Sequence, residues 1–314
     1  MYQIQRQLSD GREGWPVFSE PGFFFNEEFQ LKQQDSGTFL LLTALNLATN
    51  KVDARCALFI DKDLAISPKM APFGSVEFVE ALPEPTLVAL LDALEQAVVQ
   101  LGLPRLRLTN YPRCYAPQQA DRLARELHRR GYGQVSQLIN FHLPVTVQPL
   151  LPRLHPSERR RLAKCQRAGF RVGLWATPPV ETVVAFIRQS REHQHYPLSL
   201  PPNRLAELLH THPDTYLTMA VFDGPTLAAL TVAVRVRPDI LYNFLPADNP
   251  IYRPFSPAVL LTHGLYAHCQ QAGIALLDLG VSVDDHRQPK PGLLRFKRNL
   301  GAEESVKTVW EKQV

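Results

Sequence analysis

The spacing of hydrophobic and polar residues in the second half of the chain predicts helices that alternate with strands. In Val180–Glu192 the apolar residues recur at helical spacing, so this segment is predicted to be an amphipathic helix. Leu217–Phe222 and Thr226–Val236 lie on either side of an Asp-Gly-Pro turn and are predicted to form an antiparallel hairpin. The other predicted elements are the helices Pro156–Ala168, Asn203–His210, Pro257–Gln271 and Gly292–Leu300, and the strands Phe170–Ala176, Ile240–Phe244, Ile274–Leu279 and Val306–Trp310. This order is typical of an α/β fold built on a mixed sheet.

The first half of the chain repeats part of this order, which indicates an internal duplication. In each half one glycine ends a helix and a second glycine ends the next one. Gly131 follows Gly102 by 29 residues, and Gly301 follows Gly273 by 28. The predicted elements of this half are the strands Thr38–Leu47, Asp53–Ile60, Leu64–Ser67, Arg105–Thr109 and Gln134–Leu143, and the helices Pro85–Leu101 and Ala120–Arg130.

The chain length of 314 residues fits two domains of about 150 residues each. Three prolines between Pro144 and Pro152 break the pattern. Two domains are therefore predicted, a degenerate first copy over 1–148 and a second over 149–314. Hydrophobic residues at 45% and charged residues at 20% are typical of a globular protein. The net charge of +4 neither requires nor excludes a nucleic-acid partner.

The sequence is expected to belong to a cytoplasmic protein with no membrane span. The opening residues MYQIQRQLSDGREG contain no apolar run of the kind found in secretory signals. Of the two most apolar segments, Phe39–Leu47 is too short to cross a bilayer and Thr86–Leu101 carries acidic residues. The four cysteines lie far apart, without metal-ligand spacing, which favours reduced thiols.

Three stretches of the second half resemble GNAT-type acyltransferases, and a pair of such folds resembles the Fem-type transferases. Ser157–Gly169 is similar to the basic helix that opens the second domain in that family. Leu277–Gly280, with the sequence Leu-Asp-Leu-Gly, resembles its core strand and exit turn. Gly292–Gly301 resembles its near-terminal segment, in which an aromatic-Lys pair precedes a final glycine. The resemblance implies two tandem GNAT-like domains.

The activity that the resemblance implies is transfer of an acyl group from a carrier, acyl-CoA or similar, to an amine in a cleft between the domains. The acceptor would be a small molecule or a peptide, and no metal or tightly bound cofactor is expected. A deprotonated amine attacks a thioester directly, so the protein positions the reactants, removes a proton and stabilises the oxyanion. Two alternatives stay open: an aminoacyl-tRNA-dependent transferase, and a binding module without catalysis. The charged helical hairpin common in tRNA-dependent relatives is absent from the sequence, which counts against tRNA.

One segment departs from the pattern of GNAT enzymes, which hold the pyrophosphate of the carrier on a glycine-rich turn. Tyr252–Ala258 stands at that place and contains no glycine. Ser256 and Pro257 still predict a helix N-terminus, whose free N–H groups favour an anion. Arg253 and Ser256 are therefore predicted to contact the carrier, although the missing glycines argue against ordinary coenzyme A binding and favour the non-catalytic alternative.

Four residues are predicted to be catalytic. His195 and Tyr196 follow the helix Val180–Glu192, on the acceptor side that the resemblance implies, and either of them, or the neighbouring His193, could remove a proton from an amine. The alternative is a solvated helix end that carries histidines at its negative pole. Tyr242 and Asn243 lie in the middle of a predicted strand, which the resemblance implies to run beside the acyl carrier, and an asparagine inside a strand suggests a specific hydrogen bond. The alternative is a partly wet edge strand.

Several charged residues have both a functional and a structural interpretation. Lys297 and Arg298 are predicted to contact an anion, as in the related family. Asp278 interrupts an apolar strand, so it is either an acid of the site or the partner of a basic side chain. A basic cluster on one helix either meets phosphates or forms a solvated face; its members are Arg159, Arg160, Arg161, Lys164 and Arg167. The His-x-His pairs at 193–195 and 210–212 do not predict a metal, because residues two apart on a helix face different ways.

Overall fold

The computed structural model describes residues 1–10, 15, 17–34, 37–193, 200–284 and 286–314. The chain divides into two compact units. Unit 1 comprises Met1–Ile139 together with the C-terminal segment Ser305–Val314, and unit 2 comprises Asn140–Glu304.

Unit 1 is a mixed sheet with helices, in which four strands follow one another in antiparallel order and a fifth is added in parallel. Its elements are β1 (Tyr2–Leu8), α1 (Glu28–Gln34), β2 (Leu40–Asn46), β3 (Lys51–Asp61), β4 (Leu64–Ser67), β5 (Glu77–Phe78), α2 (Glu84–Gln100), β6 (Arg105–Thr109), α3 (Pro117–Arg129) and the start of β7 (Gly133–Pro144). Strands β1 to β4 pair antiparallel in sequence order, and β4 pairs with β6 in parallel.

Unit 2 has the same order of pairing. Its elements are α4 (Pro156–Arg167), β8 (Arg171–Leu174), α5 (Val180–His193), α6 (Pro202–Thr211), β9 (Tyr216–Asp223), β10 (Thr226–Arg237), β11 (Ile240–Asp248), α7 (Pro257–Gln271), β12 (Leu276–Val281), α8 (Pro291–Asn299) and the start of β13 (Glu303–Gln313). Strands β8 to β11 pair antiparallel in order, and β11 pairs with β12 in parallel.

The strand that completes each unit comes from the other half of the sequence. In unit 2 the end of β7 pairs antiparallel with β12, so that Leu277 lies opposite Leu143. In unit 1, β13 pairs antiparallel with β6, so that Trp310 lies opposite Leu108. The two halves therefore share one strand order, and the predicted α/β class with a mixed sheet is confirmed.

Most helices begin and end where the local sequence signals predict. Helix α7 runs over the predicted residues, with Pro257 at its first position and Gly273 at φ +66° after its end. Gly169 and Gly301 also have left-handed backbones after α4 and α8. Strand β1 and helix α1 were not predicted from the sequence.

The core of unit 2 lies between α4, α7 and the sheet. Helix α7 is buried along most of its length, and Leu265 and Tyr266 on it pack in the same cluster as Leu162 and Cys165 of α4. Helix α7 also packs against β11 and β12, and its first turns line a cavity between these two strands.

Candidate functional site

The parallel strands β11 and β12 separate within unit 2 and leave a cavity between them. They pair only from Ile240 opposite Leu276 to Tyr242 opposite Asp278, although both strands continue. A cavity of about 330 Å³ opens at this point. Its walls are formed by β11, β12, the end of α5, the first turns of α7, and α8. A volume of this size suits a small organic ligand.

Two irregularities in strand pairing accompany this separation. On the β10 side of β11 the register shifts so that Phe244 has no opposite residue. On the β7 side of β12 it shifts between Asp278 and Gly280. Such bulges bend a strand and redirect its side chains, which is how neighbouring residues of β11 come to line one cavity.

Gly280 has φ +71°, a left-handed backbone that disfavours other residues. A Cβ atom there would lie 3.0 Å from Cε2 of Tyr242. The absence of a side chain at this position therefore lets the tyrosine ring lie against the backbone of β12.

Tyr242 and Asn243, both predicted to be catalytic, line the cavity side by side. Burial, together with the carboxylate of Asp278, raises the pKa of the Tyr242 phenol well above its ordinary value, so this group is protonated at neutral pH and can donate a hydrogen bond. Oδ1 of Asn243 accepts a hydrogen bond of 2.6 Å from the hydroxyl of Thr231, which is fully buried. Asn243 therefore has its amide nitrogen left to donate to a ligand.

Lys297 is the cationic group that lies deepest in this wall, with 6% of its surface exposed. Its ammonium donates to the carbonyl oxygen of Gly280 at 2.9 Å and to that of Val281 at 2.8 Å. Burial lowers the pKa of Lys297 to about 8, and the charge of Asp278 opposes this decrease. Because an ammonium has three donors and two are used by backbone, one N–H can serve a ligand.

The buried acid Asp278 lies directly behind this wall. Its Oδ1 accepts 2.8 Å from the side-chain amide of Asn140 and 2.7 Å from the backbone N–H of Gly280. Both Asn140 and Asp278 are 1% exposed. Asp278 is thus hydrogen-bonded by an amide and by backbone, and its charge favours the protonated forms of two neighbouring bases, Lys297 and His142.

The residues predicted to hold the carrier lie at the N-terminus of α7, at the edge of the cavity. Ser256 is half-buried, has a left-handed backbone at φ +57°, and precedes the helix. Arg253 is exposed and pairs with Asp248 at 3.1 Å. Pro257 has no N–H, and the N–H of Val259 donates to the carbonyl of Ser256 at 3.0 Å. This turn therefore presents fewer backbone donors than a glycine-rich one.

Three predicted site residues remain, namely Arg298, His195 and Tyr196. Arg298 is exposed, pairs with Glu304 at 2.6 Å and does not line the cavity. His195 and Tyr196 lie outside the described residues. His193, the last residue of α5, is exposed.

Arg191 lines the cavity but was not predicted from the sequence as a site residue. It donates to the carbonyl of Pro246 at 3.3 Å. Burial lowers the pKa of its guanidinium, whereas the charges of Tyr242 and Asp248 act to raise it. The available signal was its position four residues after Ile187, which places it on the buried stripe of α5.

Most basic side chains of the cluster on α4 form hydrogen bonds or ion pairs with other residues of unit 2. Arg159 donates to the carbonyls of Leu154 and Pro152, and Lys164 donates to that of Pro254 at 2.8 Å. Arg161 pairs with the fully buried Glu158 at 2.9 Å. Arg160 and Arg167 are exposed. For Arg159, Arg161 and Lys164 the structural interpretation is therefore supported.

Comparison with known proteins agrees with this geometry. Residues 156–298 match the family model of an acetyltransferase (GNAT) domain. The fold is similar to that of FemX, with a TM-score of 0.70 and 12% identity over 94% of this chain and 93% of FemX. It is also similar to a tandem GNAT protein from the clavulanic acid biosynthesis pathway, with a TM-score of 0.50 and 13% identity over 88% of this chain and 82% of that one.

A third similar structure is the C-terminal domain of a protein from Agrobacterium fabrum assigned as a lysylphosphatidylglycerol synthetase. Its TM-score is 0.57 and its identity 12%, over 82% of this chain and 80% of that domain. No curated protein matches the sequence. Within the described ranges, no helix combines the length and the apolar character that a bilayer crossing needs.

The family match therefore defines a GNAT-type acyltransferase domain over residues 156–298. The segment 156–298 belongs to the GNAT acetyltransferase family, and the fold of the chain is similar to the folds of FemX and of a tandem GNAT protein. This confirms the resemblance drawn from the sequence.

Proposed function

We propose that this protein transfers an acyl group from a carrier to the nitrogen of an amine, at the cavity between β11 and β12. One observation carries the proposal: the two parallel strands separate after Tyr242 and Asp278, and the buried ammonium of Lys297 lies on the wall of the opening. A cation fixed at a cavity wall can stabilise negative charge that develops during a reaction.

The exposed edge of β11 supports binding of an extended carrier arm. On one side β11 pairs with β10 as far as Asp248, but on the β12 side pairing stops at Tyr242. Backbone groups from Asn243 onward therefore face the cavity side without a strand partner there. An amide-containing arm, such as the pantetheine of coenzyme A, could add to this edge as a strand does. Acyl-CoA would then act as a co-substrate.

The proposed reaction forms a C–N bond and breaks the bond between the acyl carbon and the carrier. The amine nitrogen attacks the acyl carbonyl carbon, whose oxygen becomes an oxyanion. The third N–H of Lys297 and the amide of Asn243 would stabilise that oxyanion. The carrier would leave as a thiolate or alkoxide, and the phenol of Tyr242, which keeps its proton, would donate a hydrogen bond to it as it departs. The proton lost by the amine would pass to His195 or Tyr196, as predicted from the sequence.

Three parts of the proposal come from the sequence. A site in an interdomain cleft, the domains 1–148 and 149–314, and a cytoplasmic location remain predictions. Arg253 and Ser256 are proposed to meet the phosphates of the carrier beyond the edge of the cavity, and Arg298 stays a proposed anion contact at the surface of α8. The acceptor is proposed to be a small-molecule or peptide amine.

The test is an assay of acyl transfer in which the lysine at the cavity wall is altered. Purified protein would be given a panel of acyl-CoAs with primary amines and peptides, and release of the free thiol would be followed. Lys297→Met is expected to lower kcat by about 100-fold or more, the usual loss when a donor to an oxyanion is removed. Lys290→Met, an alteration seven residues away on the same segment, should leave kcat within about twofold. Equal kcat in the wild type and Lys297→Met would contradict the proposal.

A second candidate is transfer of an aminoacyl group from tRNA. The observation that favours it is the glycine-free turn before α7, which offers few backbone donors for a pyrophosphate. The similarity to a lysylphosphatidylglycerol synthetase domain is consistent with an aminoacyl donor. Incubation with a mixture of charged tRNAs, followed by loss of the aminoacyl ester, would distinguish the two donors. A protein that turns over neither donor, and that no acyl-CoA stabilises in thermal unfolding, would favour the non-catalytic alternative.

A further inference from the structure

The backbone of β12 at Gly280 is held from both sides by groups of opposite charge. Its N–H donates to the carboxylate of Asp278 at 2.7 Å, and its carbonyl oxygen accepts 2.9 Å from the ammonium of Lys297. The acid and the base are therefore joined through a single residue at the bulge of the strand. Neither side chain is more than 6% exposed.

Two buried charges in this position stabilise each other. A charged group inside a protein is costly unless an opposite charge or several hydrogen bonds accompany it. Lys297 has two backbone carbonyls as acceptors, but a carbonyl is neutral. Asp278 supplies the negative charge, and Asn140 fixes the orientation of that carboxylate by donating to Oδ1 at 2.8 Å.

The other charged or titratable groups around the cavity cannot replace Asp278 in this role. On β11 the phenol of Tyr242 is kept protonated by burial, so it carries no charge. Asp248 already pairs with Arg253. Arg191 at the end of α5 is itself a cation, as is the exposed Arg298 on the same helix as Lys297. His142, which lies opposite Asp278 on β7, is buried, and burial lowers the pKa of its imidazole and favours the neutral form.

We propose that Asp278, oriented by Asn140, is a positioning residue that keeps Lys297 in its ammonium form against the bulge of β12. The neutral amine has two N–H groups, and both would be used by the carbonyls of Gly280 and Val281. The ammonium has a third N–H, which is the one that reaches a ligand. The consequence for catalysis rests on the proposed function, whereas the charge state of Lys297 does not.

The test measures the charge of Lys297 directly, without a substrate. The chain has nine lysines, so the protein with lysine labelled at the ε-carbon gives few NMR signals, and Lys297→Met assigns the relevant one. In the wild type this signal should titrate near pH 8. In Asp278→Asn the midpoint should fall by about 1–3 pH units, the usual effect of losing a close opposite charge. Asp278→Glu, which keeps the charge, should restore a midpoint close to that of the wild type.

Two further variants serve as controls, one for a folding defect and one for the loss of an acidic charge elsewhere in the protein. Asparagine retains an oxygen for the N–H of Gly280; if Asp278→Asn fails to fold, Asp278→Ser removes the same charge and should shift the midpoint in the same direction. Asp239→Asn removes an acid that pairs with Arg237 before β11 and should leave the Lys297 signal unchanged. An unchanged or raised midpoint in both neutral variants at position 278 would overturn the proposal.

The outcome is separable from that of the proposed function. With a donor that the protein turns over, the decline of kcat at alkaline pH should move to lower pH in Asp278→Asn by the same amount as the NMR midpoint. A shifted midpoint combined with full activity in Lys297→Met would refute the catalytic role of the lysine and leave the charge relation intact.

Discussion

The burial of Lys297 makes the stability of the protein depend on pH in a direction that can be predicted. The residue is 6% exposed, and burial lowers its pKa from 10.5 to about 8. In the unfolded chain the lysine stays protonated until about pH 10.4, whereas in the folded protein it releases its proton from about pH 8. Between these values the unfolded state binds more protons, so the free energy of unfolding rises with pH.

The size of this effect follows from the width of the pH window. Each pH unit is worth about 1.4 kcal/mol, so between pH 8 and 9.5 the wild type should gain about 2 kcal/mol from this one group. Below pH 8 the cost of burying the ammonium is fully present and does not change with pH. Other groups also titrate in this range, so the prediction concerns the difference between the wild type and Lys297→Met.

Urea unfolding at pH 7.0 and pH 9.5 measures that difference. The unfolding free energy of the wild type should rise, relative to that of Lys297→Met, by about 2 kcal/mol between the two conditions. Lys290→Met should behave as the wild type, since its lysine shows no comparable burial. If Lys297→Met has the same dependence on pH as the wild type, then the lysine is not held in the buried position that the structure gives it.

Three further predictions concern the frame around the cavity. Gly280→Ala should lower the unfolding free energy in urea by about 1 kcal/mol more than Gly273→Ala does. Both glycines have left-handed backbones, but of the two only Gly280 has other atoms within 4 Å of an added Cβ. Equal losses in the two variants would contradict this contact. Glu158→Gln removes a buried carboxylate that accepts hydrogen bonds from Arg161 and Asn299, and it should cost about 1–2 kcal/mol in the same assay, because the arginine left behind is half exposed. The exposed Glu181→Gln should change stability by less than about 0.5 kcal/mol. Burial lowers the pKa of His142, so acid below about pH 6.5 protonates the unfolded state preferentially and destabilises the fold. His142→Gln should therefore show a smaller decrease of Tm between pH 7 and pH 5 than the wild type, and an equal decrease would rule this out.

The boundaries of the helices could be predicted from the sequence because short-range chemistry sets them. Helix α7 occupies the predicted range Pro257–Gln271 to the residue, since proline is favoured at a first helical position and Gly273 accepts the left-handed backbone after the last turn. Strand β6 also matches its predicted range, Arg105–Thr109. The resemblance to GNAT-type folds followed from the order of these elements.

The candidate site could be predicted only in part. Tyr242, Asn243 and Lys297 were singled out, and all three line the cavity. Arg191 was missed, because its place on the wall depends on how α5 packs against β11. Arg298, next to Lys297 in sequence, points away to Glu304, since successive residues of a helix face different directions.

The sequence by itself determined most of the helices and strands, although not β1 and α1, and it determined that the order of elements occurs twice. Only the tertiary structure decided that β11 and β12 part after three paired residues, and that β7 and β13 each complete the sheet of the unit built from the other half of the chain. Strand pairing joins residues far apart in the chain, and its register depends on bulges and on the packing of both partners. The cavity with Lys297 on its wall is a product of that pairing, so no local pattern could have shown it.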